Sequence, residues 1–187
     1  HTVRVANTSS CTNGETSETA CGFVVEFADI ISKQKINSTN TSVGGWTASK
    51  MRIYVNETVY NALPSDLQKI IVETKVISGH GSTSGETNFT SNDKLYLLST
   101  KEVWNGGTRC DTAEAETRQL DYYKNKGVTT ANYSGAIKKY YGSNDYWWLR
   151  SAYSDYTNDF FYVSSGGNWS NVNPLSTNGV SPAFRIA

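Results

Sequence analysis

No run of about eighteen or more apolar residues occurs in this 187-residue chain, so no segment reads as a membrane-spanning helix. An excess of charge is also missing: 17 basic residues face 17 acidic ones. That balance argues against a chain steered to nucleic acid by a basic face. Cysteine occurs three times and histidine twice, with no CxxC pair, so no zinc site is expected. Phosphate-binding glycine loops and nucleophile elbows are absent as well. The chain opens without an initiating Met or a signal peptide, as a mature form or a trimmed piece would. One domain over residues 1–187 is the natural expectation at this length.

The cysteines leave two readings open. Cys11 and Cys21 flank a polar loop, CTNGETSETAC, and a bridge there suits an oxidising compartment, leaving Cys110 single. Alternatively, all three are ordinary thiols. Asn-x-Ser/Thr sequons such as Asn7 and Asn56 follow from the richness in Asn, Ser and Thr.

A sharper local absence lies near the C-terminus. Residues 151–178 contain no Lys, Arg, Glu, Gln or Met and consist mostly of Asn, Ser, Thr, Tyr and Asp. Tyr offers large, stiff contact area, and Ser, Asn and Gly offer adaptable hydrogen bonding, which is the chemistry of antibody-like paratopes. Strand-like segments bracket the stretch, WWLRS before it and GVSPAFRIA after it. A binding surface held between two scaffold strands is the leading reading. Its candidates are Tyr153, Asp155, Tyr156, Asn158 and Asp159 in a loop, and Asn168, Ser170, Asn171 and Asn173 after a Gly166–Gly167 turn. Alternation sends Phe161, Val163, Val180 and Phe184 to the core, and Phe160 and Tyr162 to the opposite face as exposed anchors. Together the candidates are expected to form one contiguous patch. Trp148 and Leu149 are assigned to the core, and Arg150 to holding a loop carboxylate.

Elsewhere the pattern predicts short elements of both kinds. TVRVANTS and GFVVEFADII read as strands. A helix is expected from a cap at Thr47 or Ser49 through KMRIYVNETVYNAL, and a second over SDLQKIIVET after Pro64. DKLYLLS reads as a central strand; TKEVW, ETRQLDYYKNKG and SGAIKKYYG read as short helices. From Tyr146 onward the chain is strand-like, so early and late strands are expected to pair and bring the ends together in an α+β domain.

Seven landmarks taken in order, GGWTASKMR, NALPSDLQ, DKLYLLSTKEVW, TRQLDYY, WWLRSA, FYVSSGGNW and GVSPAFRIA, resemble a bacterial domain family of unassigned function. That family, common in gut bacteria and their phages, is similar to a variant of the C-type lectin fold. The resemblance implies a C-type lectin-like α+β scaffold with short strands and helices and long loops. Two functional settings go with such scaffolds. The formylglycine-generating enzymes use cysteine chemistry near the C-terminus, and this chain has no Cys after Cys110. Variable proteins of diversity-generating retroelements instead receive a C-terminal segment mutated at template adenines. Asn codons of the form AAY, changed only at adenine, reach Ser, Thr, Tyr, Asp, Phe, Val, Ala, Leu and Pro but not Lys, Glu, Gln, Met or Trp. Apart from Gly166, Gly167 and Trp169, every residue of 151–178 fits that alphabet. Lectin-like loops are also rich in these residues without any such mechanism.

The implied function is non-enzymatic binding of a protein or glycan on a cell or phage-host surface, with neither nucleic acid nor membrane insertion involved. The expected location is extracellular, on a cell surface or on a phage particle. A fixed carbohydrate-binding adhesin is the alternative, stacking sugar on Tyr or Trp, with Trp104 and Trp169 as candidates. The Glu-Pro-Asn or Gln-Pro-Asp motif of calcium lectins is absent, Asn173-Pro174-Leu175 being a distant echo, so no metal and no cofactor are expected. Catalysis has little to stand on. Glu114 and Glu116, two apart, share no helix face, and His80 reads as a solvated loop histidine.

Overall fold

The computed structural model describes residues 1–105 and 111–187, so Cys110 lies outside the described part. Two sheets organise an α+β architecture in which strands predominate. The first contains β1 (Val3–Asn7), β2 (Val24–Phe27), β4 (Ile71–Val72) and β13 (Ala183–Ile186), in the order β1-β2-β13-β4. Phe184 of β13 lies opposite Val25 of β2, and Val5 of β1 lies opposite Val25 on the other side. The two ends of the chain are thereby joined in one sheet, as the flanking apolar alternation suggested.

The second sheet holds β3 (Ser32–Gln34), β9 (Trp147–Ala152), β10 (Phe160–Val163), β11 (Trp169–Val172) and β12 (Asn178–Val180), ordered β11-β10-β9-β12-β3. Only the β9–β12 pairing is parallel. Two hairpins stand apart: β5 (Thr74–Ser78) with β6 (Phe89–Asp93), and β7 (Lys138–Tyr140) with β8 (Ser143–Asp145).

The helices are short. α1 (Gly45–Ala48) leads to α2 (Lys50–Ile53), capped where Ser49 accepts from the Arg52 N–H, and a π-helical turn (Tyr54–Val59) follows. α3 (Ser65–Ile70) starts after Pro64 as expected but stops early. Ile71, Val72, Thr74, Val76 and Ile77 are β-branched, and that run continues as β4 and β5 instead of helix. α4 (Thr100–Val103) carries a full capping box between Ser99 and Glu102, and α5 (Asp121–Asn125) packs on β1.

Two other expectations are corrected. SGAIKKYYG is helical only over Ser134–Ala136 and then forms β7, because the hairpin with β8 takes its backbone bonds. The DKLYLLS segment is no strand beyond Asp93. Its Leu95–Leu98 stretch is wholly buried and pairs with the first sheet through one isolated bridge, Tyr96 to Ala183.

All six residues of β9 are buried, so this strand has no solvent face. Trp148 and Leu149 are core residues, with the Trp148 indole N–H donating to Gln34 O at 2.8 Å. Arg150 does hold a carboxylate, though on a helix rather than a loop: Glu102 accepts two bonds from it, at 2.6 and 2.7 Å. Cys11 and Cys21 are bridged, their Cα atoms 5.0 Å apart.

Candidate functional site

The loop at 153–159 joins β9 to β10, and its shape is set by main-chain bonds. Tyr153 N–H donates to Asp159 O and Tyr156 N–H to Tyr153 O, each at 3.0 Å. Two remote segments clamp it from outside: Ser42 N–H reaches Thr157 O at 2.9 Å, and Ser82 N–H reaches Tyr156 O at 3.0 Å. Gly81 fits this clamp because it lacks a side chain. A Cβ there would lie 2.5 Å from Ser42 Oγ and 2.8 Å from Tyr156 O. With the backbone so fixed, the side chains of Asp155, Tyr156 and Thr157 are left exposed.

Aromatic rings then run inward from the surface. Tyr156, 51 % exposed, lies 5.1 Å from Tyr153 with the ring planes 30° apart. Tyr153 meets the edge of buried Phe161 at 5.0 Å, and Phe161 meets Trp169 at 6.0 Å. Such offset and edge contacts suit the ring quadrupoles and stiffen the row. Asn171 is paired with Phe161 across the ladder and so shares its face. Its amide donates to Asp159 Oδ2 at 2.7 Å, placing a carboxylate and an amide beside the tyrosines. At the loop's other side the Asn158 amide donates to Asn40 Oδ1 at 3.3 Å.

The single patch expected from the sequence is corrected to two faces and two turns. Tyr153, Tyr156, Asp159 and Asn171 are brought together. Tyr162 and Ser170, opposite each other in register, occupy the reverse face of the β10–β11 ribbon with Trp148 and Tyr146. Asn168 opens the ribbon, where Ser164 N–H donates to its carbonyl at 2.7 Å and its own Oδ1 accepts from Trp169 N–H. Asn173 lies past the far end, its Oδ1 accepting from Leu175 N–H. Phe160 is not an exposed anchor. It is fully buried between Ala152 and Val172, because core closes over both faces of β10 at that end.

Trp104 is buried and donates to Gly167 O at 3.2 Å, a packing role, while Trp169 is half-buried at the inner end of the aromatic row. His80 is not freely solvated: its Nδ1 lies 2.6 Å from Gly81 O, within the clamp. Glu114 pairs with Lys101 at 3.5 Å and Glu116 accepts from Thr16. Among the described residues, no three His, Cys, Asp or Glu side chains are grouped to hold a metal ion. Sequence reasoning missed the clamp of Ser42, Gly81 and Ser82. These residues sit in polar, turn-like stretches with no pattern tying them to a loop over seventy residues later, roughly half the chain away.

The site can offer flat aromatic faces, one carboxylate and one amide to a ligand. Comparison with known families matches residues 24–187 to a domain of unknown function (DUF6273), and the chain belongs to that family. β1 and the Cys11–Cys21 loop lie outside the matched part. No curated protein and no solved structure matches the chain.

Proposed function

We propose that this domain is a non-enzymatic ligand-binding module that presents Tyr153, Tyr156, Asp159 and Asn171 to a protein or glycan on another cell or a phage host. The aromatic row carries the reading: a half-exposed Tyr156 is backed by Tyr153 and rooted in the core at Phe161. Tyrosines held stiffly beside hydrogen-bonding side chains bind with little entropic loss. We further propose that residues 151–178 are a retroelement-diversified segment on a lectin-like scaffold. Their restricted alphabet supports this, and so does the manner in which the loop is fixed. Four main-chain bonds hold 153–159, so exposed side chains such as Tyr156 and Thr157 can change without moving the backbone. The Cys11–Cys21 bridge suits an extracellular, cell-surface or phage-particle setting.

Sequencing the locus in sibling isolates tests the diversification. Changes concentrated at adenine positions of exposed codons, with those for Phe161 and Val163 constant, are expected; substitutions spread evenly along the gene would refute it. Binding itself is read on the cells bound by the wild-type domain, and Tyr156→Ala is expected to abolish capture while the fold survives.

A second reading, a fixed adhesin that stacks a sugar, is favoured by the small tilt between the Tyr153 and Tyr156 rings. Glycan-array hits lost in Tyr156→Ala, with an invariant locus, select it.

A further inference from the structure

A different face of the molecule carries a recess with no part in the surface above. It has a volume of about 140 Å³ and is lined by Tyr146, Tyr162, Val172, Ser176 and Asn178. Tyr146 is 44 % exposed, and its ring meets Tyr162 edge-on at 5.7 Å. Tyr162 points away from Tyr153 and Tyr156, since it alternates with Phe161 along β10. The lining holds no charged group. It combines two aromatic rings with hydroxyls and one carboxamide, which suits a small ring that is apolar on its faces and hydroxylated at its rim.

A second observation points the same way. The hairpin that runs into Tyr146 turns at Tyr141 and Gly142, both with positive φ (48° and 85°), between the paired Tyr140 and Ser143. Two-residue turns of that hand favour Asn, Asp or Gly at the first position. Here a tyrosine occupies it, 92 % exposed, the only non-glycine with positive φ among the described residues. A bulky residue in that conformation is strained, and its side chain meets that of Tyr140 through a tilted ring contact at 4.5 Å and a side-chain hydrogen bond. Most of that side chain still faces outward, where a ligand could reach its ring. Three-residue strands set the tip roughly 10 Å from Tyr146, the reach of a glycan longer than one ring.

We propose that the recess between Tyr146 and Tyr162 binds one pyranose ring of a neutral glycan, with Tyr141 stacking on a neighbouring unit. The site is separate from the Tyr156 surface and holds whether or not that surface binds its own ligand. Saturation-transfer NMR with methyl pyranosides and their short oligomers tests it on the whole chain. Wild-type protein is expected to transfer saturation to at least one neutral sugar. Tyr146→Ala is expected to weaken that binding by about tenfold or more, whereas Lys69→Ala, at an exposed position of α3 that lines neither surface, leaves it unchanged. Tyr146→Phe keeps the ring, guards against misfolding, and retains the stacking. Tyr141→Gly is expected to raise the melting temperature by relieving the turn while weakening oligosaccharides and sparing single sugars. Silence toward every neutral sugar, or transfer indifferent to Tyr146→Ala, overturns the proposal. Selection of a peptide by the recess in place of a sugar does so as well.

Discussion

Arg150 shows what a single residue does in this interior. Its guanidinium is fully buried and grips Glu102 with two bonds, while further donating to Leu97 O at 2.8 Å and Ile77 O at 3.2 Å. Glu102 also accepts from the Thr117 and Thr19 hydroxyls and from the Ser99 N–H, so every strong acceptor site is in use. Removing one partner strands a buried charge, and Glu102→Ala or Arg150→Ala is expected to cost about 3–5 kcal/mol. Replacing both by apolar residues of similar size should cost much less than the sum of the two. Denaturant melts of the four proteins measure this, and additive losses would refute the coupling. The sequence made Arg150 legible as a carboxylate holder but hid the partner. Glu102 is 48 positions away, on a helix whose own cap it completes, and no local pattern joins the two.

Elements were legible where side-chain period decides them and illegible where a neighbour does. WWLRS and FFYVSS read as strands because aromatic and β-branched residues favour a pleated surface. Their faces were harder to read. β9 and the start of β10 are covered on both sides, which defeats the inside–outside alternation and misplaced Phe160. Helix α3 ended before its apolar period did, since the β-branched run found strand partners in β13 and β6. The turn between β10 and β11 gives a test at this scale. Gly167 has φ 90°, and a Cβ there would fall 2.1 Å from Tyr133 O, whereas Gly166 has only Ser164 Oγ within reach, at 3.8 Å. Gly167→Ala is therefore expected to lose about 2–3 kcal/mol and Gly166→Ala about 0.5 kcal/mol or less. Equal losses in urea unfolding would show that the Tyr133 contact does not constrain the turn.

For the molecule as a whole, the pairing of early and late strands was readable from their apolar alternation, and the polar interior was not. Charged residues read as surface in any pattern analysis, yet Glu26 is fully buried at the junction of several elements. It accepts from Arg4 at 2.8 Å, Tyr123 at 2.9 Å and Lys138 at 2.6 Å, while the Lys138 ammonium also reaches Ser181. One carboxylate thus ties β1, β2, β7 and α5 together, and Lys138 extends the tie to Ser181 just after β12. Burial alone would raise the Glu26 and Glu102 carboxyls, but Lys138 and Arg4 for the first and Arg150 for the second outweigh it, so both lie below the usual value of 4.5. A carboxyl depressed on folding stabilises the native state above its unfolded pKa. That stabilisation is lost as the pH falls through the folded one. Stability in denaturant titrations should therefore hold steady just above pH 4.5 and fall on further acidification, as the two buried carboxylates take up protons. Glu102→Gln should flatten part of that fall while lowering stability at neutral pH, because the amide cannot match the charged pair. A native state that grows more stable on acidification would mean that these buried carboxylates are tolerated by the fold instead of holding it together.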